Sequence, residues 1–171
     1  FISCTLLYWT NTEIKKIELV IQVIASLKQQ GVNLNFVVVG KDVDGVGLEH
    51  EVEKYQLNDH VWIYGPCYDE IRIGEMFYNA DICVSPGNVG LTVIHAFTYG
   101  CPVITHDNFS FQGPEFEAII KGKTGDFFVE NDVNSLADTI QKWLNQNSYS
   151  REDIRQFAYQ TIDTKWNLYY Q

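Results

Sequence analysis

The sequence predicts an α/β fold: a doubly wound, largely parallel sheet of about six strands with helices on both faces. Three observations carry this. Apolar runs of strand length alternate along the whole chain with amphipathic segments of helix length. One of those runs, Leu34–Val39, is too apolar to have a wet face and belongs inside a sheet covered on both sides. In the middle of the chain, Asp81-Ile82-Cys83-Val84 leads through Ser85-Pro86 into the glycine turn Gly87-Asn88-Val89-Gly90. A helical stretch follows, then Gly100-Cys101-Pro102 and the apolar run Val103-Ile104-Thr105. That order is strand, tight turn, helix, strand.

Taken in order, Phe1–Leu7 reads as a strand. Glu13–Gln30 reads as a helix, with Ile14, Ile17, Ile21, Ile24 and Leu27 at three- and four-residue spacing and Gly31 as its stop. After the strand Leu34–Val39 comes a glycine-rich loop, Gly40–Gly47, and a short helix, Leu48–Tyr55. Val61–Tyr64 is a strand, Asp69–Asn79 a helix and Asp81–Val84 a strand. Beyond the signature turn and its helix, Pro102–Thr105 is a strand, Asp107–Gly113 a polar loop and Pro114–Lys121 a short helix. Gly122–Gly125 turns into the strand Asp126–Val129, Asn134–Asn145 is a helix, and Glu152–Tyr169 is a long last one. No repeat, low-complexity tract or internal linker interrupts the pattern, so residues 1–171 are expected to form a single domain. The chain starts within a strand and without an initiator Met, as expected of a piece of a longer protein.

Charge narrows the function classes. Acidic residues outnumber basic ones 22 to 12, a net charge of −10, so the basic footprint of a nucleic-acid binder is missing. Cys4, Cys67, Cys83 and Cys101 are widely spaced with no CxxC pair. Three of them lie in or beside strands, which points to buried free thiols in a reducing compartment rather than to metal ligands. No apolar run reaches the roughly 20 residues of a membrane span, and no signal-peptide or metalloprotease, P-loop or GxSxG pattern occurs. Glu49, Glu51 and Glu53 read as a solvated surface segment.

In a doubly wound sheet, ligands sit outside the carboxyl ends of the strands. The loops to consider are therefore Tyr8–Ile14, Gly40–Val46, Gly65–Tyr68, Ser85–Gly90 and His106–Gly113. The turn Gly87-Asn88-Val89-Gly90, with Leu91 after it, sits where a helix N-terminus offers backbone N–H groups to an anion. An ordinary βα turn that needs glycine for its dihedrals has the same sequence. Lys15 and Lys41 are cations near this edge, and each also reads as a solvated lysine. His106 and Asp107, adjacent in sequence, are no evidence of a metal pair.

The segment Ser85–Val103 resembles the signature of the family 4 glycosyltransferases, which have the GT-B fold. There a strand leads to Glu-Gly-Phe-Gly, a helix with a second glutamate eight residues after the first, and Gly-x-Pro-Val. Gly90, Leu91, Ala96, Gly100, Pro102 and Val103 match; the two glutamates fall on Gly87 and His95. Lys15-Lys16-Ile17-Glu18-Leu19-Val20-Ile21 is similar to the family's Lys-Gly-x-x-x-Leu-Ile apart from the glycine, and the family's arginine falls on Thr10. Glu117–Gly125 resembles its Glu-x-Val-x-x-Gly-x-x-Gly segment, which makes Glu117 a further candidate.

The resemblance implies the Rossmann-like C-terminal half of a GT-B enzyme, binding a nucleotide-diphosphate sugar and transferring the sugar with retention to a glycan or lipid-linked acceptor. Lys15 and the turn N–H groups would hold the diphosphate. His95, with one acceptor and one donor in its neutral form, would keep one ribose contact of the missing glutamate or turn to donate to phosphate, unless it only packs and bonds locally. Gly87 cannot replace a carboxylate, so that role falls to the backbone, to another residue, or to nothing. The usual catalytic positions thus leave the catalytic residue unidentified. No metal or other cofactor is implied. The expected partner is the protein's own N-terminal domain, on which residues 151–171 or their aromatic end, Trp166–Tyr170, pack unless they lie on their own sheet. The location implied is cytoplasmic, with membrane-surface association through the absent half. Two other classes share the architecture: a non-catalytic domain that binds a nucleotide or a protein, and a sugar-nucleotide epimerase.

Overall fold

The computed structural model describes residues 4–13, 16–41, 47–146 and 148–166, and for residues 4, 6–13 and 41 the backbone alone. Strands β1 (Cys4–Glu13), β2 (Leu34–Lys41), β3 (Val61–Gly65), β4 (Ile82–Ser85), β5 (Val103–His106) and β6 (Gly125–Phe128) form one sheet in the order β3-β2-β1-β4-β5-β6. Every pairing is parallel. Helices α1 (Ile17–Gln29), α2 (Leu48–Lys54), α3 (Glu70–Asn79), α4 (Thr92–Thr98), α5 (Val133–Gln146) and α6 (Arg151–Lys165) connect and cover it. The chain adds strands outward to β3, then returns through α3 to pair β4 with β1, Leu6 opposite Ile82 and Leu7 opposite Cys83. That reversal is the switch point of the sheet.

Alternation along the strands sorts the core into two layers. Phe36, Val38, Ile82, Val84, Ile104 and Phe128 face α1, α2 and α5. Val37, Val39, Cys83, Val103 and Phe127 face α3, α4 and α6. The expected strand Leu34–Val39 is indeed covered on both sides. Cys83 and Cys101 are buried cysteines outside any disulfide and Cys67 is half-buried; burial pushes the Cys101 thiol well above its ordinary pKa. The side chain of Cys4 lies outside the described residues.

Local chemistry fixes the ends of the helices on the second layer. Asp69 caps α3, its carboxylate accepting the N–H groups of Ile71 at 3.0 Å and Arg72 at 3.3 Å. Gly100, at φ 72°, closes α4, and Cys101 N–H returns to Ala96 C=O at 2.9 Å. A Cβ at Gly100 would come within 2.8 Å of Arg155 Cγ and 2.9 Å of the Tyr159 hydroxyl, so α6 lies directly over this end of α4. Helix α6 opens with a capping box at Ser150 and Asp153. Its Arg151 bonds Asp81, Tyr78 C=O and Ala80 C=O, and Arg155 stacks 3.8 Å from the Tyr78 ring centroid. Ala158, Ile162 and Trp166 pack into the second core layer. The rest of the aromatic tail, Asn167–Tyr170, lies outside the described residues.

Several boundaries differ from the sequence reading; among them, β2 runs to Lys41 and α6 ends at Lys165. Strand β1 runs on to Glu13 instead of ending near Leu7, because its pairing with β2 resumes after an irregularity and sets Glu13 opposite Lys41. Tyr8–Glu13 is therefore strand rather than loop, and α1 starts at Ile17. The segment expected as a helix over Pro114–Lys121 is a 3-10 turn, Pro114–Ala118. It stops because the buried Thr124 hydroxyl takes the Ile120 N–H at 2.8 Å. The polar loop before it contains a further 3-10 turn, Phe109–Phe111.

Among the described residues no helix is long and apolar enough to cross a membrane. At Gly125 a Cβ would lie 1.9 Å from Val103 O, so β5 and β6 leave no room for a side chain there. Gly125→Ala must push β6 away from β5. It is expected to lower stability by about 2–4 kcal/mol in urea denaturation.

Candidate functional site

The carboxyl edge of the sheet is organised around the turn after β4. Gly87 is buried, Asn88 exposed and Val89 buried, and Gly90 has a φ of 42°. The Gln112 side chain locks this turn to the end of β5. Its Oε1 accepts the Val89 N–H at 2.8 Å, while its Nε2 donates to Thr105 Oγ1 at 2.9 Å and His106 C=O at 3.1 Å. The buried Thr105 hydroxyl donates in turn to Ser85 C=O at 2.9 Å. Asn88 Nδ2 donates to Phe111 C=O at 2.8 Å. The Val89 N–H is thus already engaged. The N–H groups of Gly90 and Leu91, which precede α4, have no acceptor among the described residues.

His95 projects from α4 toward the start of α3. Its Nε2 lies 3.1 Å from Glu70 Oε2, and its ring sits 5.4 Å from Phe77 and 5.6 Å from Tyr99. The Tyr99 hydroxyl donates to the same Glu70 oxygen at 3.1 Å. Burial, then Glu70, raises the Tyr99 pKa. With 21% of its side chain exposed, His95 still reaches the surface. It borders a cleft of about 510 Å³ between the β3–α3 loop and α4, lined also by Cys67, Tyr68, Glu70 and Leu91.

A second polar cluster lies along the same edge. Lys16, at φ 54°, takes the left-handed position that the family motif fills with glycine. Its Nζ donates to Glu130 Oε1 at 2.7 Å, and Asn108 Nδ2 donates to Glu130 Oε2 at 2.6 Å. These bonds, that of Lys16 foremost, hold the Glu130 carboxyl below the usual carboxylate range. Beside them His106 is 1% exposed, and its Nδ1 accepts the Asn108 N–H at 3.3 Å. Asp107 Oδ1 accepts the Glu130 N–H at 3.3 Å. The cluster ties the β1–α1, β5 and β6–α5 connections together.

Of the residues singled out from sequence, Gly87, Asn88, Val89, Gly90, Leu91 and His95 gather on the β4–α4 connection. Glu117 is exposed on the second 3-10 turn, which packs against α4. Lys15 and the side chains of Thr10 and Lys41 lie outside the described residues, as do residues 42–46 of the Gly40–Val46 loop. The sequence reading missed Gln112, Glu70, Lys16, Asn108 and Glu130. The contacts that define them span 22 to 114 positions, and only the polar character of Asp107–Gly113 hinted at Gln112 and Asn108. Among the described residues no group of three His, Cys, Asp or Glu side chains could hold a metal ion.

Burial lowers the pKa of His106 from its ordinary 6.5, and the accepted N–H needs Nδ1 unprotonated. The folded pKa lies below the unfolded one. The stabilisation is therefore complete above the unfolded value and is lost as pH falls from there through the folded one. Wild type is expected to lose stability between about pH 7.5 and about pH 5.5, and His106→Gln to lose less, in denaturation midpoints compared at the two pH values.

Comparison with known proteins adds a family to this geometry. The chain is similar in structure to a sucrose-phosphate synthase of Thermosynechococcus elongatus, at 26% identity and a TM-score of 0.74, over 92% of this chain and 41% of that one. It is similar also to an S. aureus TarM mutant in complex with fondaparinux, alpha-GlcNAc-glycerol and UDP, at 19% identity and a TM-score of 0.80, over 96% and 33%. A third is Anabaena HepE in complex with UDP-glucose, at 16% identity and a TM-score of 0.75, over 95% and 44%. The chain thus spans less than half the length of each. No curated protein sequence matches it. The profile described as glycosyl transferases group 1 matches residues 6–161, nearly the whole sheet with its carboxyl-edge turns, and the chain belongs to that family.

Proposed function

We propose that this chain is the C-terminal, donor-binding domain of a retaining, family 4-like glycosyltransferase. One observation carries the reading: the unengaged N–H groups of Gly90 and Leu91 adjoin the cleft that His95 borders. The diphosphate of a nucleotide sugar rests on those two N–H groups and on Lys15. The nucleoside lies in the cleft between Tyr68 and His95, where the imidazole meets the ribose. As the glycosidic bond breaks, its electron pair passes to the diphosphate oxygen. Amides fixed in place by the Gln112 lock stabilise that charge without reorganising, and the incoming hydroxyl oxygen of a glycan or lipid-linked acceptor bonds the anomeric carbon on the same face as its proton passes to the departing diphosphate oxygen.

The acceptor is held by an N-terminal domain of the full-length protein, because a two-domain cleft is what orients donor and acceptor. No divalent metal is needed to neutralise the leaving group in this scheme. The enzyme would work in the cytoplasm, where nucleotide sugars serve polysaccharide assembly, at the membrane surface when its acceptor is lipid-linked. A binding-only domain is favoured by one feature, the missing side chain at Gly87. Turnover of a nucleotide sugar by the full-length protein, measured with and without EDTA, decides between the two.

The site itself is tested by titrating the full-length protein with UDP, GDP, ADP and dTDP. His95→Ala is expected to weaken the best binder several-fold, about 0.5–1.5 kcal/mol for one neutral hydrogen bond, with the melting curve retained. His95→Gln, which keeps a donor and an acceptor, is expected to recover part of the loss. Unchanged affinity in both variants would make His95 a packing residue bonded to Glu70.

A further inference from the structure

Gly113 lies between the two 3-10 turns at a point where three parts of the chain converge. A Cβ placed there would meet Glu115 Oε2 at 2.5 Å and Gly90 Cα at 3.2 Å. The absence of a side chain at 113 therefore lets the Glu115 carboxylate fold back beside the backbone of the β4–α4 turn. The approach is built, not incidental. Gln112 and Asn88 fasten the preceding loop to the same turn. Pro114 occupies the first turn of the 3-10 segment. Phe116 anchors the segment from below, stacked 4.6 Å from Phe109, whose ring meets Phe127 edge-on at 5.1 Å.

Held in this way, Glu115 is half-buried, and its carboxylate accepts no hydrogen bond and makes no ion pair among the described residues. A carboxylate drawn partly out of water without a donor is unfavourable unless something else supplies one. No donor of the turn bonds it, and Gly87 contributes no side chain at all. A phosphate would be repelled there. Hydroxyl groups attached through a phosphate that rests on the Gly90 and Leu91 amides would not be: they are donors, and an ionised carboxylate has two oxygens to receive them.

We propose that Glu115 reads the hydroxyl groups of the donor sugar, supplying from the loop after β5 the carboxylate that the β4–α4 turn lacks. The assignment rests on the reading of that turn as the diphosphate site. Glu115 is on this account a specificity-determining residue that acts on the sugar and not on the nucleotide.

The test compares the affinities of the full-length protein for nucleoside diphosphates (UDP, GDP, ADP, dTDP) and for their glucose, galactose and N-acetylglucosamine conjugates. Wild type, Glu115→Gln and Glu115→Asp are measured by titration calorimetry. With Glu115→Gln, the preferred conjugate is expected to bind about tenfold more weakly, the worth of one charge-assisted hydrogen bond. The bare diphosphate should bind equally well or slightly tighter, since a nearby negative charge is gone. Glu115→Asp is expected to lie between the two and to shift the preference among the sugars. Parallel weakening of diphosphate and conjugate would overturn the assignment and leave Glu115 as a support of the turn. No change in either would overturn it as well. Failure of wild type to bind any of the probes would instead overturn the donor reading of the turn, and the assignment with it.

Discussion

The pairing of β4 with β1 is the constraint on which the rest depends. In a parallel sheet every strand ends at the same edge, so each connection that leaves a carboxyl end starts from one side of the molecule. Because the chain turns back through α3 to place β4 beside β1, α1 and α4 leave that edge on opposite faces of adjacent strands. The opening between them is where the β4–α4 turn is exposed. Helix α3 crosses on the same face as α4, which brings its first residue, Glu70, against His95. The cleft is a consequence of topology before it is a matter of side chains.

On that frame the edge is fixed by a few polar side chains that bond backbone groups and one another across the loops. Gln112 satisfies an N–H of one loop, a hydroxyl of a strand and a carbonyl beside it with a single amide. Such a fork holds the two loops in one relative position, since no rotation of the amide keeps all three bonds. Lys16 and Asn108 bracket the Glu130 carboxylate in the same manner on the other face. The rigidity this confers keeps the dipoles of the edge aligned in advance, as the proposed leaving-group site requires.

The layered fold was legible because it depends on periodicity. Alternation through Leu34–Val39 and the three- and four-residue spacing in α1 are local signals, and both layers of the core follow from them. Loop ends were less legible. Nothing in Tyr8–Glu13 announces that β2 will continue to pair with it, and Thr124 stops the segment after Pro114 from four residues away. At the site, glycines and signature residues could be placed from their order alone, whereas bonds made across the sheet could not. Glu70 and His95 are separated by 25 positions, Lys16 and Glu130 by 114. The left-handed Lys16 shows the same limit from the other side: the sequence departs from glycine while the backbone keeps the conformation that glycine favours.

The two buried thiols give the molecule an internal clock for opening. Cys83 lies in β4 and Cys101 just ahead of β5, so they bracket the β4–α4 connection at the heart of the sheet; Cys67 sits half-exposed in the cleft. A thiolate reagent reaches Cys67 in the native protein, but it attacks Cys83 or Cys101 only when the central strands separate, since burial keeps Cys101 protonated. Alkylation at these positions therefore records how often the middle of the sheet comes apart while the cleft stays open to solvent, and a ligand seated on that connection would slow the record without having to touch either sulfur.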